Sequence, residues 1–153
     1  MADIVDRKTR SRMMSKIGGR NTKPELVVRS KLHRLGFRYS LHHKDLPGKP
    51  DIVLPAYDTV VFVHGCFWHC HESCDYFRMP KSNQQFWKDK LGRNKKRDQE
   101  NIELLVNEGW YVGTVWECVI RDRTEEQIEI SVARLAKWIR REKYKRRKIE
   151  FSS

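Results

Sequence analysis

The feature that most constrains the fold of this chain is a short segment in which cysteine and histidine crowd together. Residues 66–74 read Cys-Phe-Trp-His-Cys-His-Glu-Ser-Cys and contain three of the four cysteines. The fourth, Cys118, lies far along the chain. Because thiols stay reduced inside cells, such a cluster favours a metal site over disulfides. One bound ion would fix this segment and tie it to the region around Cys118.

Two ligand sets are compatible with this segment. Three thiolates and one imidazole would form a closed tetrahedral Zn²⁺ site, and these ligands would be Cys66, His71, Cys74 and Cys118. An all-thiolate set would use Cys70 in place of His71. Either set leaves no open position for a reactant, so we expect a structural site. The alternative without metal is a group of buried or free cysteines.

The pattern around this segment predicts an α/β fold with a mixed central sheet flanked by helices. A helix should begin at Thr22, where Glu25 is placed to complete a capping box. A second helix is expected over 82–108 with an interruption near Gly92, and a third should begin at Thr124 and end at a charge run. Strands are expected where β-branched and aromatic residues alternate or cluster, at 37–41, 51–54, 59–63 and 110–116. We expect a single domain over 21–153, preceded by a basic arm over 1–20.

The charge balance indicates a polyanionic partner. The 153 residues carry 32 Lys and Arg against 20 Asp and Glu, a formal net charge of +12. Residues 1–50 and 123–153 are basic, whereas 51–122 are slightly acidic. This balance favours nucleic acid as the partner, and basic ends around a metal-holding centre suit a nuclease. The sequence has no signal peptide and no apolar run long enough to cross a bilayer, so we expect a soluble, intracellular protein.

A second group of residues suits phosphodiester chemistry. Asp51 begins a strand after a Gly-Lys-Pro turn, a position where a carboxylate can hold Mg²⁺. The next strand, at 61–64, lacks the second carboxylate and the lysine of the usual nuclease pattern. His64 and His69 are candidates to fill this gap, because a neutral imidazole can accept a proton from water. Taken alone, each of these residues is more often an ordinary strand-start or loop residue.

Two pairs of adjacent aromatic residues suggest a contact with bases. Phe67 and Trp68 lie on the cysteine-rich segment, and Phe86 and Trp87 lie on a predicted helix. Two bulky aromatics on an irregular loop are seldom both core residues, and in a basic protein they can stack on bases or wedge between base pairs. For the helical pair, a core position for one member is an equally good explanation.

Together these residues resemble the very-short-patch repair (Vsr) DNA mismatch endonucleases. The resemblance covers about residues 3–140, and it is carried by Arg10-Ser11, Met14, Pro50-Asp51, Val-Phe-Val-His-Gly-Cys-Phe-Trp-His at 61–69, Phe86-Trp87 and Val-Trp-Glu-Cys at 115–118. It implies a fold like that of type II restriction endonucleases. It also implies an activity, the nicking of one DNA strand 5′ to the thymine of a T:G mismatch left by deamination of 5-methylcytosine.

The resemblance also implies roles for the catalytic residues. Asp51 and the backbone carbonyl of Val63 would hold Mg²⁺, and the carbonyl oxygen would replace the missing second carboxylate. Many relatives have Thr where this chain has Val63, a change that is tolerable if only the carbonyl is used. His69 would be the general base. His64 and Glu25 would support the hydrated metal.

The resemblance extends to the zinc site and the DNA contacts. The family's zinc ligands correspond to Cys66, His71, Cys74 and Cys118. Residues that enter the DNA from the major-groove side correspond to Phe67, Trp68 and Trp87. Met14 resembles the residue that enters from the minor groove. A T:G pair costs less to unstack than a matched pair, so a wedge of this kind favours mismatched sites.

We therefore expect a zinc-stabilised, Mg²⁺-dependent DNA mismatch nickase that acts as a monomer in the bacterial cytoplasm, in association with the nucleoid. Its partners would be double-stranded DNA and mismatch-repair accessory proteins. Two other functions remain open. One is a restriction-type nuclease that cuts matched DNA. The other is a non-catalytic zinc-containing DNA-binding module, in which Asp51, His64 and His69 would have no functional role.

Overall fold

A five-stranded mixed sheet organises the chain in the computed structural model, which describes residues 21–72 and 74–153. In chain order the elements are α1 (Lys23–Arg34), β1 (Ser40–Leu41), β2 (Ile52–Leu54), β3 (Thr59–His64), α2 (Gln84–Asn107), β4 (Tyr111–Trp116), α3 (Glu125–Arg140) and β5 (Lys148–Phe151). The strands lie in the order β1-β2-β3-β4-β5. The pairs β1–β2 and β2–β3 are antiparallel, and β3–β4 and β4–β5 are parallel. The predicted arm over 1–20 lies outside the described residues.

Alternate side chains of the central strands pack into two hydrophobic layers, one on each face of the sheet. One layer joins Val61 and Val115 to α1 and α3, whose buried residues there include Val28, Leu32, Ile128, Val132, Leu135 and Ile139. The other layer joins Val60, Phe62 and Val112 to Leu105 of α2. Helices therefore cover both faces, and the predicted mixed sheet flanked by helices is confirmed.

Helix α1 begins at the predicted cap, but its capping box is only half formed. The Thr22 hydroxyl accepts a hydrogen bond from the Glu25 N–H at 3.4 Å. The Glu25 carboxylate accepts from the main-chain N–H of Asn21 at 3.2 Å. A complete box is present at α3, where Thr124 and Gln127 bond each other reciprocally. The Glu25 side chain is thus directed to the protein interior, where it is 1% exposed.

Three details of the predicted secondary structure are wrong. Helix α2 runs for 24 residues without an interruption at Gly92, because a glycine costs only about 1 kcal/mol in a helix interior and packing against the sheet offsets that cost. The strand expected over 37–41 pairs only at Ser40–Leu41. No strand is expected after the third helix, but the charge run at 143–148 leads into β5, which pairs with β4. Among the described helices, none has the length and apolarity needed to cross a membrane.

The sheet brings the chemically interesting segments to one edge. Strands β3 and β4 end side by side, since His64 is the register partner of Trp116. The segment after β3 and the 3₁₀ turn Glu117–Val119 after β4 therefore start at the same edge. Strand β2 is antiparallel to β3 and begins there, directly after Asp51. Ligand sites in α/β folds commonly lie at the carboxyl ends of parallel strands, which is where these segments meet.

Candidate active site and metal centre

A buried pair of carboxylates lies where β2 begins. Glu25 of α1 and Asp51 are 1% and 8% exposed. One oxygen of each and one ring nitrogen of His42 lie within 4.8 Å of one another, and we call these three residues the acidic cluster. Asp51 Oδ2 accepts the main-chain N–H of Val63 at 2.7 Å. His42 Nε2 lies 3.0 Å from both carboxylate oxygens of Glu25.

The electrostatics of the acidic cluster favour a bound cation. Loss of water on burial raises the pKa of Asp51 from 3.8 to about 7, and the neighbouring Glu25 carboxylate acts in the same direction. The Val63 N–H opposes this shift. Among the described residues, Arg29 Nη1 pairs with Glu25, at 2.8 Å, and not with Asp51. Because a positive charge beside Asp51 would favour its ionised form, and because oxygen donors suit Mg²⁺, the cluster fits a divalent cation.

A stacked pair of imidazoles lies next to this cluster. The rings of His64 and His69 are parallel, with centroids 3.7 Å apart. His64 is buried, and the ring centroids of Phe62 and Trp116 lie 5.3 and 5.4 Å from that of its imidazole. Burial lowers the pKa of His64 well below its usual value, and the nearby His69 adds to the effect. His64 is therefore neutral at pH 7, and it positions His69 through ring contact.

Helix α2 supplies the partner that orients His69. Asp98 Oδ2 lies 2.6 Å from Nδ1 of His69. An ionised carboxylate only accepts hydrogen bonds, so Nδ1 carries the proton and Nε2 keeps a free lone pair. His64, His69 and Asp98, which we call the histidine cluster, place one ligand atom each within 4.8 Å of one another. In this tautomer Nε2 is the ring nitrogen that can accept a proton.

The two clusters meet at the end of β3 but are separate ligand groups. The main chain of Val63 contacts Asp51, and the next residue, His64, contacts His69. Asp51 is grouped with Glu25, and His69 is grouped with Asp98. A phosphate placed at this end of β3 would therefore have the acidic cluster and the histidine cluster as neighbours.

Three thiols and one imidazole converge beyond the ends of β3 and β4. The cysteine cluster comprises Cys66, His71, Cys74 and Cys118, which place one ligand atom each within 4.8 Å of one another. Burial raises the pKa of Cys66, and the neighbouring Cys118 and Cys74 thiols add to this. Burial lowers the pKa of His71, which keeps its ring neutral. Three sulfurs with a neutral imidazole are a donor set suited to tetrahedral Zn²⁺.

The turns after β3 explain why His71 joins this cluster. The N–H of His71 donates to the carbonyl of Cys66 at 2.8 Å, so the chain folds back on itself. Cys70 takes up the bend with a left-handed φ of 57°. The Cys70 thiol is not part of the cysteine cluster and donates a hydrogen bond to Glu72 Oε1 at 3.3 Å. Of the two ligand sets predicted from the sequence, the conformation brings together the one that contains His71.

Five aromatic side chains form a half-exposed cluster. They lie at the start of α2 and on the segment after β3, residues 65–72 and 74–77, which we call the ligand loop. Their ring centroids lie 5.1–6.2 Å from their neighbours, and the members of this aromatic cluster are Phe67, Trp68, Phe77, Phe86 and Trp87. Trp68 is 39% exposed and Phe86 is 55% exposed. The Lys90 ammonium lies 5.7–6.0 Å from three of the rings. Among the described residues, neither Phe67 nor Trp68 belongs to a buried hydrophobic cluster, and both side chains keep some exposure to solvent.

Sequence reasoning missed two residues of the site. Asp98 lies in a basic stretch of a long helix, and nothing in that stretch marks it as the partner of His69. His42 is a single histidine in a turn-rich segment, and its contact with Glu25 depends on how β1 pairs with β2. Spacing carries no signal for either contact, because each joins distant segments. The predicted DNA contact Met14 lies outside the described residues.

Comparison with known proteins gives a consistent result. The family model for the DNA mismatch endonuclease Vsr matches residues 2–75. The DNA mismatch endonuclease Vsr of Escherichia coli K12 is 41% identical over 139 residues, which are 91% of this chain and 88% of the relative. The type II nicking enzyme V.XorIIP of Xanthomonas oryzae is 46% identical over 122 residues, 80% of this chain and 89% of the relative. The type II nicking enzyme V.NmeAIP of Neisseria meningitidis is 47% identical over 123 residues, with coverage of 80% and 87%.

Proposed function

The chain belongs to the Vsr family of DNA mismatch endonucleases, and on this premise we propose that it nicks one strand of double-stranded DNA 5′ to the thymine of a T:G mismatch. Such a nick would begin very short patch repair of deaminated 5-methylcytosine. The observation that carries the proposal is the meeting of the acidic and histidine clusters at the end of β3. A hydrolase acting on phosphodiesters needs charge neutralisation and a proton acceptor at one place.

The acidic cluster would hold Mg²⁺ through Asp51 and the backbone carbonyl of Val63, with Glu25 in support. Two features favour this role: burial and the neighbouring Glu25 carboxylate raise the pKa of Asp51, so that a bound cation would stabilise its ionised form, and the main chain of Val63 adjoins Asp51. Bound there, the ion would neutralise charge on the phosphate and polarise it for attack. A carbonyl is unaffected by the identity of the side chain, so Val63 suits this role as well as Thr.

His69 would take the proton of the attacking water at Nε2. Asp98 holds the opposite ring nitrogen at 2.6 Å and stabilises the imidazolium formed by the transfer. His64 would support this proton transfer, since its stacked and neutral ring fixes the plane of the His69 ring without adding a repelling charge. A single nick needs only one such site, which supports a monomer.

The aromatic cluster would enter the DNA stack beside the mismatch from the major-groove side, with Phe67, Trp68 and Trp87 as the intercalating residues. Each base–aromatic stack is worth about 1–3 kcal/mol, which offsets the few kcal/mol needed to unstack a mispaired step. The half-exposure of these rings and the positive charge of Lys90 over them support the proposal. Met14, on a basic arm over 1–20, would enter from the minor groove.

The cysteine cluster would hold a structural Zn²⁺ through Cys66, His71, Cys74 and Cys118. With four protein ligands the ion keeps no open position, so its contribution is to the shape of the ligand loop. That loop carries His69, Phe67 and Trp68 between the ligands. A rigid loop loses little entropy when DNA binds.

The remaining expectations extend the same proposal. Residues 21–153 would form one domain with a fold like that of type II restriction endonucleases, as family membership suggests. The net charge of +12 supports binding to DNA phosphates. Mismatch-repair accessory proteins are proposed as further partners. The relatives come from bacteria, which supports action on nucleoid DNA in a bacterial cytoplasm.

An end-labelled duplex with one T:G mismatch tests the proposed function. In the presence of Mg²⁺ we expect a single break 5′ to the mismatched thymine and an intact opposite strand, resolved on a denaturing gel. The matched duplexes with T:A and C:G at the same position are the controls, and varied flanking bases define the sequence context. Cleavage of both strands of matched DNA would favour a restriction-type nuclease. Mismatch binding without any Mg²⁺-dependent break would favour a non-catalytic DNA-binding module.

A further inference from the structure

A segment after the last helix reaches the cysteine cluster from outside the ligand set. The main-chain N–H of Ser153 donates a hydrogen bond to the Sγ atom of Cys118 at 3.4 Å. Cys118 is buried, so few other donors can reach this sulfur. An N–H group that bonds a metal-bound thiolate compensates part of its charge and fixes the position of the sulfur, which is what an outer-shell partner of a metal ligand does.

A second contact from the same segment acts on the histidine of the cluster. Glu150 Oε1 accepts the indole N–H of Trp116 at 3.3 Å. The Trp116 ring in turn stacks on His71, with centroids 4.2 Å apart and planes 9° from parallel. Glu150 thereby fixes the indole against which the imidazole of His71 is held.

The contacts made by Ser153 and Glu150 come from a distant part of the chain, whereas another sulfur of the cysteine cluster is bonded by a residue of the ligand loop itself. Cys74 Sγ accepts its N–H bond from Tyr76, only two residues along the chain. Cys118 depends on a residue 35 positions away, which is delivered by strand β5. The parallel pairing of β5 with β4 places Phe151 opposite Val115 and so sets the position of the segment that follows.

We infer that residues 150–153 form an outer shell of the metal centre, in which Ser153 and Glu150 are positioning residues that hold Cys118 and His71 for Zn²⁺. The inference rests on the zinc assignment in the proposed function. If residues 150–153 act in this way, β5 helps to retain the ion although it lies outside the ligand loop. Loss of an outer-shell partner typically weakens metal binding by about 10- to 100-fold.

Substitution of Ser153 tests this role, because proline lacks the N–H that donates to sulfur. The full chain is loaded with zinc, and release to a chromogenic chelator is followed by absorbance. We expect Ser153→Pro to release zinc about tenfold faster than wild type, whereas Ser153→Ala, which keeps the N–H, should match wild type. Far-UV circular dichroism establishes that each variant is folded.

Glu150 provides a second, independent variant. Glu150→Gln keeps an oxygen acceptor for the Trp116 indole, and Glu150→Ala removes it. With Co²⁺ in place of Zn²⁺, we expect Glu150→Ala to alter the visible absorption bands and Glu150→Gln to preserve them. Equal release rates for Ser153→Pro and Ser153→Ala, together with unchanged Co²⁺ bands in Glu150→Ala, would overturn the outer shell. A wild-type protein that binds no stoichiometric zinc would instead overturn the zinc assignment itself, and the inference with it.

Discussion

Nδ1 of His69 and Oδ2 of Asp98 lie 2.6 Å apart and join the ligand loop to the middle of helix α2. The contact sets the tautomer of the imidazole, because the ionised carboxylate can only accept a hydrogen bond and Nδ1 must therefore carry the hydrogen. It leaves Nε2 as the basic nitrogen, on the ring that stacks on neutral His64. A residue 29 positions away along the chain thus determines which ring nitrogen of His69 can accept a proton.

Asp98→Asn should lower the rate of nicking and leave mismatch binding unchanged. The amide can donate to Nδ1 and so favours the tautomer with the proton on Nε2, which cannot accept one from water. We expect kcat to fall by about 10²–10³-fold, as for loss of a general base. Single-turnover nicking and a gel-shift assay measure the two steps. Asp89→Asn, on the exposed face of the same helix, is the matched control and should keep full activity.

Asp51→Asn should abolish nicking and keep affinity for a T:G duplex. The change removes one negative oxygen from the acidic cluster and keeps the side chain's shape and its contact with the Val63 N–H. Nicking is measured over a range of Mg²⁺ concentrations, and binding is measured without Mg²⁺. Asp45→Asn, at an exposed turn, serves as the control. If binding and nicking were lost together, Asp51 would have a structural role.

Asp51 should also make the stability of the Mg²⁺-free protein depend on pH. Burial raises the pKa of Asp51 from 3.8 to about 7, so the folded protein disfavours the ionised form. The resulting cost is absent below pH 3.8, grows as pH rises, and is complete above about pH 7. It amounts to at most about 4 kcal/mol, because one pH unit corresponds to about 1.4 kcal/mol.

Asp51→Asn removes this cost, so its melting temperature should exceed that of wild type at pH 8 and approach it at pH 4. Thermal melts in Mg²⁺-free buffer measure the difference, with zinc left in place. Added Mg²⁺ should raise the melting temperature of wild type at pH 8 and have little effect on the variant. A pH-independent difference between the two proteins would contradict the elevated pKa of Asp51.

Phe67→Ala should reduce discrimination between T:G and C:G duplexes. Phe67 contacts Trp68, Phe77 and Trp87, and its removal takes one ring from the aromatic cluster. One stack is worth about 1–3 kcal/mol, so the ratio of affinities should fall by roughly 5- to 150-fold. Tyr144→Ala removes an exposed aromatic outside the cluster and should leave the ratio unchanged. An unaltered ratio for Phe67→Ala would exclude Phe67 from the wedge.

The mixed sheet could be predicted from the sequence because its central strands are marked by local pattern. Strands β3 and β4 are rich in β-branched and aromatic residues and are largely buried, as is typical of central strands. Asp51, His64 and Cys118 lie at or next to the ends of β2, β3 and β4, so the pairing of these strands places all three at one edge of the sheet. Contacts made across elements, such as those of Asp98 and His42, have no such local signal.

Strand β5 could not be predicted, because the segment before it reads as a solvated charge run. In the structure the Lys145 ammonium bonds the Thr59 hydroxyl and the Ile139 carbonyl and lies 4.5 and 4.8 Å from the rings of Tyr111 and Trp138. Burial lowers the pKa of Lys145 to about 8. A partly buried lysine with specific partners cannot be told from a surface lysine in the sequence, because only the packing distinguishes them.

Substitution of Cys70 and His71 should separate the two zinc ligand sets. The His71 ring nitrogen lies 3.8 Å from Cys118 Sγ, whereas the Cys70 thiol bonds Glu72. Cys70→Ser should therefore bind one zinc per chain as wild type does. His71→Ala should lose zinc under dialysis, since three thiolates leave one position open to water and chelators. Metal content is measured by plasma mass spectrometry after dialysis against a weak chelator.

His71→Cys provides the decisive comparison, because it restores a fourth ligand at the same backbone position. It should retain zinc, and its Co²⁺ form should show stronger sulfur-to-metal charge-transfer absorption than wild type, as a fourth thiolate would require. Had Cys70 been a ligand in wild type, Cys70→Ser would lose zinc, and His71→Cys would leave the Co²⁺ spectrum unaltered. The left-handed φ of 57° at Cys70 argues against that outcome, since the bend directs His71, and not Cys70, to Cys66.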